Sequence, residues 1–71
     1  MGYVVFRKMV EPDGFTMRGY LTPYNEWGVR REAWVFDTYE EAEEEYYEAQ
    51  EYFGQNFPDD INDFDILEVD D

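Results

Sequence analysis

The fold is decided by one stretch of the sequence, TYEEAEEEYYEAQEYFG, which occupies residues 38–54. It opens with Thr38 and Glu41 in the spacing of a capping box, in which the two side chains satisfy free backbone N–H groups at a helix start. Apolar residues then recur at spacings of three and four and form one narrow stripe, Tyr39, Ala42, Tyr46, Ala49 and Phe53. Gly54 is expected to end the helix, because helices commonly end at a glycine in the left-handed conformation. The pattern predicts an amphipathic helix over residues 39–53.

Segments rich in Val and aromatic residues predict strands on both sides of this helix. They occupy residues 2–10, 15–21, 29–36 and 64–69, and a Glu-Pro-Asp-Gly turn joins the first two strands in a hairpin. The order β-β-β-α-β predicts the α+β class, with residues 1–71 as a single small domain. We expect a mostly antiparallel four-stranded sheet with one acidic helix packed on one face. A βαβ crossover would bring the last strand beside the first, in the order 4-1-2-3, and leave the other face uncovered.

The composition excludes most enzyme mechanisms. The 71 residues include no His, no Cys and no Ser, so the chain has no thiolate nucleophile, imidazole base, disulfide or zinc site. No segment fits a Gly-rich phosphate loop, and the carboxylates of residues 59–65 do not fit a calcium-binding EF-hand. We therefore expect no catalytic residues, no metal and no cofactor. No stretch is apolar enough for a signal peptide or a membrane span, which predicts a cytoplasmic protein.

The charge is distributed very unevenly along the chain. The net charge is −14, yet residues 1–36 hold all five basic residues and only four acidic ones, while residues 37–71 hold fifteen acidic residues and no basic one. Seven of the twelve residues from 40 to 51 are Glu. Like-charged pairs four residues apart, such as Glu40 and Glu44, each disfavour a helix by about 0.2–0.5 kcal/mol. Helix stability therefore does not explain the acidic face, which favours a binding function.

The first hypothesis is that this face imitates nucleic acid. Seven charges over twelve helical residues is about one per 2.6 Å, between the spacing of about 1.7 Å for duplex DNA and about 3.4 Å for one strand. Such a surface would fit the basic groove of a DNA- or RNA-handling protein, with Tyr47 as an anchor. The predicted partner-binding residues are Glu40, Glu41, Glu44, Tyr47, Glu48, Glu51, Asp59, Asp60 and Asp63. Direct binding of nucleic acid is not expected, because the negative field repels phosphates.

In size, acidity and compactness, the chain resembles small virus-encoded inhibitors that imitate nucleic acid, among them anti-CRISPR proteins, inhibitors of restriction systems and glycosylase inhibitors. No aligned motif carries the resemblance, so it transfers no residue roles. Two alternatives stay open. The acidity could serve only solubility or adaptation to salt. A general interaction or assembly domain, including a homodimer, could instead use aromatic side chains on the uncovered sheet face and in the adjoining loop. The residues of this alternative surface are Tyr20, Tyr24, Trp27 and Trp34.

Overall fold

The sheet is built around its first strand. In the computed structural model, which describes residues 1–70, β1 (Gly2–Val10) lies between β2 (Thr16–Leu21) and the last strand, β4 (Ile61–Val69). The short strand β3 (Trp27–Gly28) pairs with the outer side of β2, so the strand order is β3-β2-β1-β4. The helix α1 (Tyr39–Asn56) packs on one face. The α+β class and the β-β-β-α-β order are confirmed. Residue 71, the end of the predicted domain, lies outside the described residues.

Alternation along the strands separates the core from the opposite sheet face. Val5 packs with Leu21, Phe36 and Ala42 beneath the helix, and both Val5 and Ala42 are fully buried. Small Ala side chains on α1 let it lie close to the sheet. We call the side away from α1 the open face. It carries Gly2, Val4, Phe6, Lys8 and Val10 of β1, Thr16, Arg18 and Tyr20 of β2, and Ile61, Asp63, Asp65, Leu67 and Val69 of β4.

The predicted third strand, residues 29–36, is wrong over most of its length. A 3₁₀ turn, Arg30–Glu32, reverses the chain directly after β3. The N–H of Trp34 then donates to the carbonyl of Leu21 at 2.8 Å, and Phe36 exchanges two backbone hydrogen bonds with Tyr3 at 2.8 and 2.9 Å. Residues 34–36 therefore extend the line of β2 instead of adding a strand of their own. A period-two pattern identifies extended backbone but does not show what that backbone pairs with.

This return segment also sets the direction of the last strand. The chain reverses between β3 and α1, and β4 then runs antiparallel to β1, with Gly2 opposite Val69 and Val10 opposite Ile61. The predicted βαβ crossover is therefore wrong, whereas the predicted place of the last strand beside the first is right. The last strand also begins at Ile61, before the predicted residue 64, and pairs with β1 over its full length.

Helix α1 continues beyond its predicted end. It runs to Asn56, and the N–H of Phe57 donates to the carbonyl of Phe53 at 3.0 Å. Among the glycines of residues 1–70, the positive φ belongs to Gly14 in the β1–β2 turn, so Gly54 keeps a right-handed conformation inside the helix. The predicted stop at Gly54 is therefore wrong, and the helix is three residues longer than predicted, most of a turn. Contacts after Gly54 favour this extension, because Phe57 packs against the rings of Tyr52 and Phe53.

Two glycines give a matched test of this packing. Gly54→Ala is expected to raise the free energy of unfolding by about 0.5–1 kcal/mol, because alanine favours a helix and the new Cβ has no atom within 4 Å. Gly19→Ala is expected to lower it by about 1–2 kcal/mol, because its Cβ would lie 3.0 Å from the Cβ of Trp27. Urea unfolding followed by tryptophan fluorescence measures both. Changes of the same sign would contradict the packing described.

Candidate partner-binding surface

The orientation of α1 is set at its first turn. The Oγ1 of Thr38 accepts a hydrogen bond from the N–H of Glu41 at 3.2 Å, and its hydroxyl donates to Oε1 of Glu41 at 3.1 Å. The predicted cap at Thr38 is thus confirmed, although the Glu41 carboxylate bonds the hydroxyl and not the backbone. Glu40 and Glu41 occupy the first turn, where the helix dipole favours negative charge.

Five glutamates are exposed on α1. We call them the acidic row: Glu40, Glu41, Glu44, Glu48 and Glu51. They extend over about 17 Å of helix, which is about one carboxylate per 3–4 Å of helix axis and close to the one phosphate per about 3.4 Å of axis that each strand of duplex DNA carries. Glu43 and Glu45 are half-buried on the flanks. Tyr47 stands within the row with 58% of its surface exposed, and its ring meets the edge of Tyr46 at a centroid distance of 5.3 Å.

The structure separates two of the nine predicted partner-binding residues from the rest. Asp59 is exposed in the turn after α1, beyond the helix end. Asp60 is half-buried, and its charge partly offsets the lowering of the Arg7 pKa that burial causes. Asp63 lies on the open face opposite Lys8, away from the helix. The candidate surface therefore consists of the six predicted residues on α1, with Asp59 exposed in the turn that follows.

Glu45 is the helix carboxylate whose ionisation the fold opposes. Burial raises its pKa from the ordinary value of 4.5, and the neighbouring charges of Glu48 and Glu44 raise it further. The folded state therefore binds a proton at Glu45 more readily than the unfolded chain does. The contribution of Glu45 to the free energy of unfolding is therefore fully present at pH values below its pKa in the unfolded chain. It is lost as pH rises through the pKa of Glu45 in the folded state.

Acidification from neutral pH towards the ordinary glutamate pKa of 4.5 is expected to raise the melting temperature of this protein, because Glu45 takes up a proton in the folded state at a higher pH than in the unfolded chain. Glu45→Gln should raise the melting temperature at pH 7 and flatten its dependence on pH above 4.5. Thermal unfolding monitored by circular dichroism measures both effects. A matched substitution at the exposed Glu51, Glu51→Gln, should leave more of the slope in place. Equal slopes for the wild type and Glu45→Gln would contradict the assignment.

The alternative surface is not brought together by the fold. Tyr20 lies on the open face and stacks on Phe6 at 5.1 Å. Tyr24 is 84% exposed in the loop before β3. Trp27 is half-buried on the helix side, 6.2 Å from the ring of Phe53.

Trp34, the fourth residue of the predicted alternative surface, also packs on the helix side of the sheet. Its ring lies 4.5 Å from that of Phe36, and it contacts the core cluster beneath the helix. The expectation that Trp34 shares the open face with Tyr20 is therefore wrong. The return of residues 34–36 to the line of β2 sets the direction of this side chain.

Arg7 has a role that the sequence pattern alone did not reveal. It is 6% exposed between the sheet and α1, and its Nε donates to Oδ1 of Asn62 at 3.0 Å. The guanidinium carbon lies 3.7 Å from the ring centroid of Phe53 and 5.6 Å from that of Trp27. Burial lowers the pKa of Arg7, against the opposing effect of Asp60. Arg7 thus joins β1, β4 and the C-terminal half of α1, and helps to hold the acidic row in place.

The described part of the chain offers no metal cluster and no membrane-spanning helix beside this surface. Residues 1–70 contain no group of three or more acidic side chains arranged to hold a metal ion. Over the same residues, no helix has both the length and the apolar character needed to cross a bilayer. Comparison of the chain with models of protein families, with curated proteins and with solved structures found no match.

Proposed function

We propose that this chain is a small inhibitor that presents its acidic row to the nucleic-acid groove of a basic protein. The observation that carries the proposal is the exposure of five glutamates on one helix, at an axial density close to that of the phosphates of one DNA strand. Tyr47 lies among them and supplies a large, partly exposed ring of the kind that anchors protein interfaces. No Lys or Arg follows Arg31 in the sequence, so no cation of α1 itself interrupts the row.

The mode of action that fits this surface is occupancy, without catalysis. A line of carboxylates attracts a basic groove over long distances, speeds association and excludes the nucleic acid that carries the same charge. The target would be a DNA- or RNA-handling protein. A virus-encoded inhibitor of a CRISPR effector or of a restriction enzyme is the class of protein that this description fits, and it would act in the cytoplasm of the host cell.

Capture of the target tests this proposal. Immobilised protein is incubated with bacterial lysate at low salt, about 50 mM, and retained proteins are eluted at about 500 mM, where exposed charges are largely screened. We expect retention of a nucleic-acid-binding protein that elutes with salt and that added duplex DNA or RNA displaces. Retained proteins that neither salt nor nucleic acid displaces would contradict the proposal, because they would not bind through charges that imitate phosphate.

A further inference from the structure

The open face is buried at one end, where Val4 is fully buried and Val35 lies against Gly2, but most of its other residues are half-buried or exposed. Ile61 is 65% exposed and Leu67 36% exposed on β4. At the centre of the face, Phe6 and Tyr20 stack across β1 and β2 with ring centroids 5.1 Å apart. A protein this small gains stability when such a face is covered, and exposed apolar surface with a polar surround is typical of an interface.

The charges on the open face follow the strands. In one cross-strand row, Arg18 of β2, Lys8 of β1 and Asp63 of β4 stand side by side, and in the next row Asp65 lies beside Phe6. All four charged side chains are exposed. The cations lie on β2 and β1 and the anions lie on β4. These two cations and two anions sum to zero, so this face is locally balanced on a protein whose net charge is −14.

We propose that the occupant of the open face is a second copy of this chain. Two such sheets packed face to face lie about 10 Å apart, with strands nearly aligned. A two-fold axis parallel to β1 places β2 of each copy over β4 of the other and keeps each cross-strand row opposite itself. Arg18 then faces Asp63 of the second copy, twice in the dimer. On the axis, Phe6 and Lys8 of β1 each meet their own copy, so two contacts between opposite charges stand against one contact between like charges. The usual tilt of about 30° shifts a neighbouring strand by only about 2–3 Å, which an arginine side chain can span.

The charge pattern favours this arrangement over the other face-to-face one. A two-fold axis across the strands would place each strand over its own copy, so the cations of β1 and β2 would never meet the two aspartates of β4. The size of the face sets the strength of the dimer. Three strands of up to nine residues cover about 30 Å by 14 Å, about half the area per partner of a standard interface, so we expect a dissociation constant of about 10–100 μM. This interface lies opposite α1, so the inference does not depend on the proposed function.

Sedimentation equilibrium of the purified chain tests the dimer. Over about 5–500 μM, the average mass of the wild type should rise from 8.6 kDa towards twice that value. Arg18→Asp and Asp63→Arg should each weaken association at least about tenfold, because each places like charges opposite one another. The controls Arg31→Asp and Asp59→Arg make the same charge changes at exposed positions off the open face and should leave association within about twofold.

The decisive measurement is a one-to-one mixture of the two weakened variants. In the mixed pair, the aspartate introduced at position 18 faces the arginine introduced at position 63, and the native Arg18 faces the native Asp63. Opposite charges therefore meet at both contacts, so the mixture should recover dimer, and so should the double variant Arg18→Asp/Asp63→Arg. Circular dichroism verifies that each variant is folded.

Three outcomes would overturn the proposal. One is a wild-type monomer at 500 μM, a concentration about ten times the expected dissociation constant. Another is a dimer that the single variants leave unaffected, because the face would then not be held by Arg18 and Asp63. The third is a dimer that the mixture of variants does not restore, because the two side chains would then not face each other across the two-fold axis.

Discussion

Replacing Arg7 with alanine is expected to lower the free energy of unfolding by about 3 kcal/mol, a large fraction of the stability of a domain this small. The substitution removes a side chain that is 6% exposed, its stacking on Phe53 and its hydrogen bond to Asn62. It leaves a cavity between sheet and helix and a carbonyl oxygen of Asn62 without this donor. Urea unfolding measures the loss.

Two further variants distinguish the contributions of Arg7. Lys8→Ala removes the neighbouring cation, which is exposed on the open face, and should change stability by less than about 0.5 kcal/mol. Arg7→Met keeps an apolar chain against Phe53 while losing the hydrogen bond, and should cost about 1 kcal/mol. If Arg7→Ala and Lys8→Ala had equal effects, the guanidinium would not be joining β1 to α1 as described.

Reversing two charges of the acidic row, Glu44→Lys with Glu48→Lys, is expected to weaken binding of the captured target about 100-fold or more. The change places two cations at the centre of the row, opposite a basic groove, and most of the effect should appear as slower association. The same variant should be more stable than the wild type by about 1 kcal/mol, because it replaces repulsive pairs with Glu40, Glu41, Glu45 and Glu51 by attractive ones. Surface plasmon resonance and urea unfolding measure the two effects.

The matched control is Glu26→Lys with Glu32→Lys. Both residues are exposed and lie outside α1, and the change in net charge is the same. We expect this variant to weaken binding less than tenfold, through the general field alone. Equal weakening by both double variants would show that net charge, and not the acidic row, attracts the target. Undiminished binding of the helix variant would remove α1 from the interface.

The elements with a strong local signal could be predicted from the sequence. The cap at Thr38 and the stripe through Ala42 and Ala49 locate the helix and its buried side, and the Pro-Asp-Gly turn locates the hairpin. The path of residues 29–36 could not be predicted, because it depends on long-range backbone pairing. Phe36 bonds to Tyr3, and Trp34 bonds to Leu21, and neither partner has a signature in the sequence.

The candidate site also has a part that the sequence predicts and a part that depends on long-range pairing. The acidic row follows from helical spacing alone, so its exposure could be predicted once the apolar stripe was known. The separation of Asp63 from that row depends on the pairing of β4 with β1, which only the structure gives. Arg7 did have a signal, since alternation places it on the same side as Val5 and Met9, which are both buried. The sequence alone does not predict its burial, because arginine is rarely buried without partners and its partners Asn62 and Phe53 are distant in the sequence.

The pairing of β1 with β4 also governs when the chain can finish folding. β1 is the central strand and is synthesised first, whereas its neighbour β4 is synthesised last of all the strands. On the ribosome, the hairpin and α1 can form early, but one edge of β1 has no partner until Val69 has emerged. Closing so long a loop is slow compared with local steps. During that interval the negative charge of α1 would repel other nascent chains. This repulsion would limit aggregation through the unpaired edge of β1.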